Sequence, residues 1–194
     1  IKKCILKNLD AEDVKREFLK QFDSFVDYFG FAPRYIDGHH NVHQYNVVNK
    51  ALLEVLREKR HIHKFYVRNT AVPFQKAFRQ GSNFFKAYSI SLFGNPYKNL
   101  LEKIGIPTNS SFMGVYDWKQ PELFSKNFKR FVRYSSFKNG IIMTHPGLPD
   151  DSLKKRDVYN DGRIQEFDLL KNIDFNELFE SHNIVLSKFK FEEE

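Results

Sequence analysis

The chain has 194 residues, 41% of them hydrophobic, which fits a single globular domain over residues 1–194 and excludes a disordered or fibrous protein. The formal net charge is +7, but Lys and Arg alternate with Asp and Glu, which disfavours nucleic-acid binding. The single cysteine, Cys4, excludes an internal disulfide, and no apolar run is long enough to span a membrane, so we expect a cytoplasmic protein.

The first predicted elements are a helix, a strand and a second helix. Asp10 is a suitable N-cap, apolar residues follow at helical spacing as far as Phe29, and Gly30 is a typical C-terminal stop. Pro33 precedes a short extended run at residues 34–37, and apolar residues at 47–56 have the helical period. The strand and the second helix are therefore separated by a polar loop.

The same alternation continues towards the C-terminus. Residues 64–67 are predicted as a strand and residues 96–104 as a helix, whereas residues 71–95 have no assigned structure. Pro121 predicts the start of a helix that ends at Asn139, and residues 141–144 have the apolarity of a buried parallel strand. Further helices at residues 163–170 and 175–179 and a closing strand at residues 184–186 complete the prediction.

Alternating strands and helices predict an α/β fold with a parallel sheet, which is either an open doubly wound sheet or a (β/α) barrel. Both architectures place their chemistry at the C-terminal ends of the strands. Polar residues at 37–43 and at 144–151 follow predicted strands directly. We therefore expect the two clusters to form one site.

The first cluster has the sequence DGHHNVH at residues 37–43. His39, His40 and His43 could offer neutral imidazole nitrogens to a divalent metal, and Asp37 could orient them. An exposed loop without a metal is the alternative, because a catalytic metal needs about three protein ligands.

The second cluster begins with Thr144, His145, Pro146 and Gly147. A rigid proline and a permissive glycine would fix the imidazole of His145, which suits a general acid. A turn with an incidental histidine is the alternative. Arg68 follows the strand at residues 64–67, where its guanidinium could hold a carboxylate or bind a substrate oxygen, unless it is a solvated surface residue.

Three segments carry a resemblance to a known family. Residues 33–43 (PRYIDGHHNVH) resemble the signature of the YdjC-like proteins, which include chitooligosaccharide deacetylases. The resemblance continues through MTHPG at residues 143–147 and RIQEFDLL at residues 163–170. It covers essentially the whole chain, and the first two motifs are the specific ones.

The resemblance implies a distorted (β/α) barrel of the glycoside hydrolase and deacetylase type. It also implies a metal-dependent hydrolase that removes N-acetyl groups from amino-sugar oligosaccharides, with magnesium as the expected divalent metal and zinc as the alternative. On this resemblance His39 matches a metal-binding histidine and His145 matches the active-site histidine, for which we predict a general-acid role. Asp37, His43 and Arg68 are expected to shape the site or contact the substrate, and Tyr66, Phe112 or Trp118 to stack on a sugar ring.

The sequence departs from the family pattern in two ways. The family begins with a strand that carries an Asp-Asp pair and takes another metal histidine from a Gly-x-His turn, and neither motif occurs here, so we expect the N-terminal part to be absent. Asn41 also stands where the signature has its middle histidine. A barrel without its first strands would fold poorly or associate into a homo-oligomer. The alternative function is a catalytically inactive carbohydrate-binding or interaction protein.

Overall fold

The computed structural model describes residues 9–72, 74–79, 83–135 and 139–189, so Cys4 lies outside the described residues. Helices alternate with short strands along the described chain, and the two strand pairs found there are both parallel. The chain divides into two compact units, Ile1–Ala71 with Ser91–Asn109 and Phe191–Glu194, and Val72–Ile90 with Ser110–Lys190. The predicted α/β class is confirmed at this level, whereas the single domain stays a prediction.

The first unit contains the elements that the sequence predicts most clearly. Helix α1 begins after Asp10, whose side chain accepts hydrogen bonds from the N–H groups of Glu12 and Asp13, and it ends at Gly30 with φ 73°. The elements in chain order are α1 (Ala11–Phe29), β1 (Tyr35–Ile36), a 3-10 helix (His39–Gln44), α2 (Asn46–Lys59) and β2 (Tyr66–Val67).

The core of this unit forms around β2. Leucines of α2 and the later turns of the long helix Phe84–Lys103 bury apolar side chains against the strand. The buried residues are Leu52, Leu53, Leu56, Phe65, Val67, Tyr97, Leu101, Ile104 and Ile106. This packing holds the C-terminal ends of β1 and β2 in place, because Ile36 also packs against the cluster.

The second unit is richer in helix. Its elements are α3 (Phe74–Arg79), the start of α4 (Phe84–Lys103), β3 (Ser111–Met113), a 3-10 helix (Pro121–Leu123), α5 (Phe124–Tyr134), β4 (Gly140–Ile142), α6 (Asp151–Arg156), α7 (Asn160–Asn172) and α8 (Phe175–Glu180). One face of α5 supplies most of a core made of Met113, Tyr116, Phe124, Phe128, Phe131, Val132 and Leu178. Strand β4 therefore lies beside β3 in a packed unit.

Two predictions of local structure are wrong, and one strand was not predicted. Helix α4 begins at Phe84 rather than at Pro96 and continues through this proline, because Tyr97 and Leu101 beyond it are completely buried. Strand β3 was not predicted. The predicted closing strand at residues 184–186 is wrong, since this described segment forms no strand and leaves Val185 and Leu186 exposed.

Membrane insertion can be judged for the same ranges. None of the described helices combines the length and the apolarity needed to cross a bilayer.

Candidate functional site

The C-terminal ends of β1 and β2 bring together Asp37, which begins the first polar cluster, and Arg68, which follows β2. Ile36 pairs with Val67 in parallel register, so Asp37 and Arg68 leave the sheet at the same edge. The Nη2 of Arg68 donates to Oδ1 of Asp37 and, at 2.8 Å, to Oδ1 of Asn41. The side chain of Arg68 is only 5% exposed, so its guanidinium holds the carboxylate from inside the unit.

Asp37 is engaged on both carboxylate oxygens. The Tyr35 hydroxyl donates to Oδ2 at 3.1 Å, and the N–H of Gly38 donates to Oδ1 at 2.6 Å. Burial by itself raises the pKa of Asp37, but the hydrogen bond and charge of Arg68 outweigh it and lower the pKa below its ordinary value. Asp37 is therefore an ionised carboxylate held by Arg68, by Tyr35 of β1 and by the backbone N–H of Gly38.

His43 lies in the interior beside this pair. Its Nε2 is 2.7 Å from the carbonyl oxygen of Arg68, which only accepts, so Nε2 carries the proton in the neutral ring. Burial first, and then the charge of Arg68, lowers the pKa of His43 to about 4. A Cβ on Gly38 would lie 2.4 Å from Nδ1 of His43, so glycine is needed for the ring to lie against the backbone.

His39 and His40 differ from His43 because both are exposed. Their ring centroids are 4.1 Å apart, and φ values of 52° at His40 and 60° at Asn41 place two successive residues in the left-handed region. Helix α2 begins only at Asn46. His39 and His43 therefore do not share a helical face, and the loop directs one imidazole outwards and the other into the core.

The residues that the structure describes do not make a complete metal centre. Within the described ranges, no three His, Cys, Asp or Glu side chains are grouped so that they could hold a metal ion. The oxygens of Asp37 are engaged by Arg68, Tyr35 and Gly38. The donor set does not fit a closed site, because a single imidazole does not satisfy a hard cation that prefers oxygen. The metal-ligand role of His39 stays a prediction.

His145 belongs to the second unit, where it follows β4 in the turn at residues 144–147. Its backbone N–H donates to Oε2 of Glu166, and its carbonyl accepts from Nη1 of Arg163 at 3.4 Å. The N–H of Gly147 donates to the carbonyl of Arg163 at 3.2 Å. Helix α7 therefore holds the turn at three backbone positions.

Glu166 is completely buried between two donors. The Tyr116 hydroxyl donates to Oε1 at 2.8 Å, while Oε2 accepts from the N–H of His145. Burial raises the pKa of Glu166 although both hydrogen bonds act to lower it. Burial, followed by the hydrogen bond to Glu166, raises the pKa of Tyr116, so its phenol remains protonated and keeps donating.

Trp118 packs on the other side of His145. The two rings meet edge to face, with centroids 5.1 Å apart and an angle of 71°. Tyr116 stacks on the indole at 5.4 Å and 20°, and a Cβ on Gly162 would lie 2.7 Å from Cε3 of Trp118. Tyr116 and Gly162 thus pack closely on Trp118, and the indole in turn packs against the ring of His145 and supports it.

Besides Trp118, Phe112 and Tyr66 were expected to stack on a sugar ring, and these two differ in exposure. Phe112 is 1% exposed and belongs to an apolar cluster with Val72 and Val115, so it is not available to a sugar and that expectation is wrong. Tyr66 is half-buried, and its ring lies 4.9 Å from that of Tyr35.

The sequence assigned no role to Glu166, although it lies in the motif at residues 163–170. A usable signal was its spacing from Arg163, because residues three apart on a helix face the same side. The two polar clusters fall in different compact units. Their union in one site stays a prediction.

Comparisons with known proteins agree with the motifs. A family model described as YdjC-like protein matches residues 2–181. A carbohydrate deacetylase of Clostridium beijerinckii is 26% identical over 179 residues, which are 92% of this chain and 61% of that protein. A solved Enterococcus faecalis protein, named for cellobiose-phosphate cleavage, is similar with a TM-score of 0.66 and 21% identity, over 94% of this chain and 61% of that one. The chain thus spans less than two thirds of the length of these relatives.

Proposed function

Because the chain belongs to the family of YdjC-like proteins, we propose that it comes from a hydrolase that removes N-acetyl groups from amino-sugar oligosaccharides of the chitooligosaccharide type. The observation that carries the proposal is the fixed position of His145 directly after β4. The curated relative, a carbohydrate deacetylase, supports the reaction class.

His145 would act as the general acid. Hydrolysis adds water to the acetamide carbonyl and breaks the C–N bond, so the products are acetate and a free amine. The departing nitrogen is a poor leaving group unless it receives a proton, and an imidazole held at a strand end is suited to donate it. The contacts of Glu166 and Arg163 to the backbone of His145 support this role, because a proton donor must be held within hydrogen-bond reach of the nitrogen.

The metal requirement is a separate part of the proposal. His39, an exposed imidazole next to the Asp37 loop, would supply one ligand to a divalent metal, with magnesium expected and zinc as the alternative. Such a metal would polarise the acetamide carbonyl when bound. The described residues offer no complete ligand set, so no step of the mechanism is assigned to it.

We also propose that the two parallel strand pairs belong to a distorted (β/α) barrel. The similarity to a solved structure with a TM-score of 0.66 supports this architecture.

One observation favours the alternative of an inactive carbohydrate-binding protein. Asp37 is held by Arg68, and no group of three His, Cys, Asp or Glu side chains that could hold a metal occurs among the described residues. Such a protein would bind N-acetylated oligosaccharides without releasing acetate.

The test uses the complete natural polypeptide that carries these residues. We expect acetate and free amine to appear in equal amounts when it is incubated with N-acetylated chitooligosaccharides and magnesium. Calorimetric binding of the same oligosaccharide without acetate release would instead support the binding protein.

A further inference from the structure

The turn at His145 and the first turns of α7 meet through backbone groups of the turn. Glu166 accepts from the N–H of His145, Arg163 donates to the His145 carbonyl, and the Arg163 carbonyl accepts from Gly147. Arg163 and Glu166 are three residues apart and share one face of the helix. The helix therefore constrains both sides of the His145 peptide.

Glu166 matters for the hydrogen bonds that its side chain accepts rather than for the space that the side chain fills. Its side chain is 0% exposed, and a buried carboxylate is costly unless its oxygens accept hydrogen bonds. An apolar side chain of similar size would fill the same space more cheaply. The carboxylate adds two aimed acceptors, one for the Tyr116 hydroxyl and one for the His145 N–H.

The same carboxylate is also linked to the imidazole ring of His145 through two aromatic side chains. Glu166 accepts from Tyr116, Tyr116 stacks on Trp118, and Trp118 meets the ring of His145 edge to face. Glu166 is therefore linked to His145 in two ways, directly through the backbone N–H and indirectly through Tyr116 and Trp118 to the ring. Loss of Glu166 would therefore disturb the histidine from two directions.

We propose that Glu166 is a positioning residue for His145, with Arg163 as its helper on the carbonyl side. Glu166 fixes the turn through the His145 N–H and fixes Trp118 through Tyr116. This inference rests on the proposed function, in which His145 donates a proton to the departing amine.

The first experiment compares Glu166→Gln, Glu166→Leu and Asp168→Leu in acetate release by the complete polypeptide. Gln keeps an acceptor for the His145 N–H, so Glu166→Gln should retain kcat within about 5-fold, whereas Glu166→Leu should lose about 100-fold in kcat with little change in KM. Asp168 is an exposed acid on the same helix, and Asp168→Leu should leave both constants unchanged. Equal activity of Glu166→Leu and Asp168→Leu would overturn the proposal.

The second experiment does not depend on activity. Trp118 is the single tryptophan of the chain, and an imidazole in contact with an indole quenches its emission. His145→Ala should raise the emission of Trp118, and Glu166→Leu should raise it in the same direction while Glu166→Gln keeps the wild-type emission. If Glu166→Leu leaves the emission at the wild-type level, Glu166 does not hold His145 and the proposal fails.

The two experiments also separate the two proposals. A wild-type protein without acetate release would defeat the proposed function, but the emission of the Glu166 variants would still test the positioning of His145.

If Glu166→Leu does not fold, as judged by circular dichroism, Arg163→Gln replaces it. That variant keeps the buried carboxylate but loses the contact of Arg163 to the His145 carbonyl, its bond to Asp157 at 2.7 Å and its position over the Trp118 ring, and we expect a loss of about 10-fold in kcat. Unchanged kcat in Arg163→Gln would then contradict the proposal.

Discussion

His43, Asp37 and Glu166 show how strongly a single residue's chemistry depends on its surroundings. His43 is 1% exposed and donates from Nε2 to a carbonyl, so it remains neutral where an exposed histidine would be partly charged. Asp37 remains ionised because Arg68 donates to it, whereas Glu166 is held by neutral donors and burial raises its pKa. His43, one of the three histidines that could offer an imidazole to a metal, is thus a core residue.

The depressed pKa of His43 predicts a pH dependence of stability. The unfolded chain takes up a proton at this histidine near pH 6.5, whereas the folded protein resists it down to about pH 4. Stability should therefore be full above about pH 6.5 and fall by on the order of 3 kcal/mol as the pH drops to about 4. Urea unfolding at several pH values measures this loss. In His43→Gln, which cannot titrate but can still donate to the Arg68 carbonyl, the loss in this interval should disappear, and an unchanged slope would refute the assignment.

The pairing of Arg68 with Asp37 predicts a second effect at the residue scale. Arg68→Met removes the nearly buried partner and leaves Asp37 with fewer donors, so we expect a loss of about 1–3 kcal/mol, moderated by the partial exposure of Asp37. Arg57→Met, which changes an exposed arginine of α2, should stay within about 0.5 kcal/mol of the wild type. Denaturant unfolding compares the two, and equal stability of both variants would rule out a structural ion pair.

At the scale of elements, α7 packs against Trp118 by a close approach of its first turn to the indole. Gly162 lies where a side chain would meet the indole, whereas a Cβ on Gly147 would have no neighbour nearer than 4.0 Å. The contact between α7 and Trp118 thus depends on one small residue in the first turn of the helix.

This difference predicts contrasting effects of the same substitution. Gly162→Ala should destabilise the protein by about 1–3 kcal/mol because Trp118 must move, and its tryptophan emission should change. Gly147→Ala should be tolerated, with the emission of Trp118 unchanged. Thermal unfolding followed by fluorescence measures both quantities, and similar behaviour of the two variants would contradict the close approach.

The success of the sequence predictions also has physical causes at this scale. Helix α1 was predictable because its cap, its apolar period and its terminal glycine are all local signals. Residues 184–186 have the composition of a strand, but without a pairing strand Val185 and Leu186 stay exposed, and local composition cannot reveal that. The spacing of Arg163 and Glu166 indicates that they share a helix face, but it does not predict the hydrogen bond of Glu166 to the N–H of His145, 21 positions away.

At the scale of the whole molecule, the family suggests a metal-dependent protein, whereas the described residues do not supply a complete set of metal ligands. The family match covers residues 2–181, yet the described residues offer no group of three side chains for a metal. The order and spacing of the motifs made the family predictable, whereas a metal centre depends on a ligand set that must be assembled in space.

This contrast predicts the behaviour of the 194-residue chain with magnesium. With His39 as its proposed ligand and no described group of three, we expect no saturable binding at micromolar concentrations and no rise in the melting temperature. Calorimetric titration and thermal unfolding with and without magnesium provide the measurement. Tight one-to-one binding that is lost in His39→Ala would show that the chain holds a complete site.

The most direct test of the central claim is the rate of acetate release by the complete natural polypeptide and two of its histidine variants. If His145 protonates the departing amine, His145→Ala should lower kcat by about 10²- to 10⁴-fold, while His61→Ala, which changes an exposed histidine after α2, should keep the wild-type rate. Acetate release by His145→Ala at the wild-type rate would contradict the account.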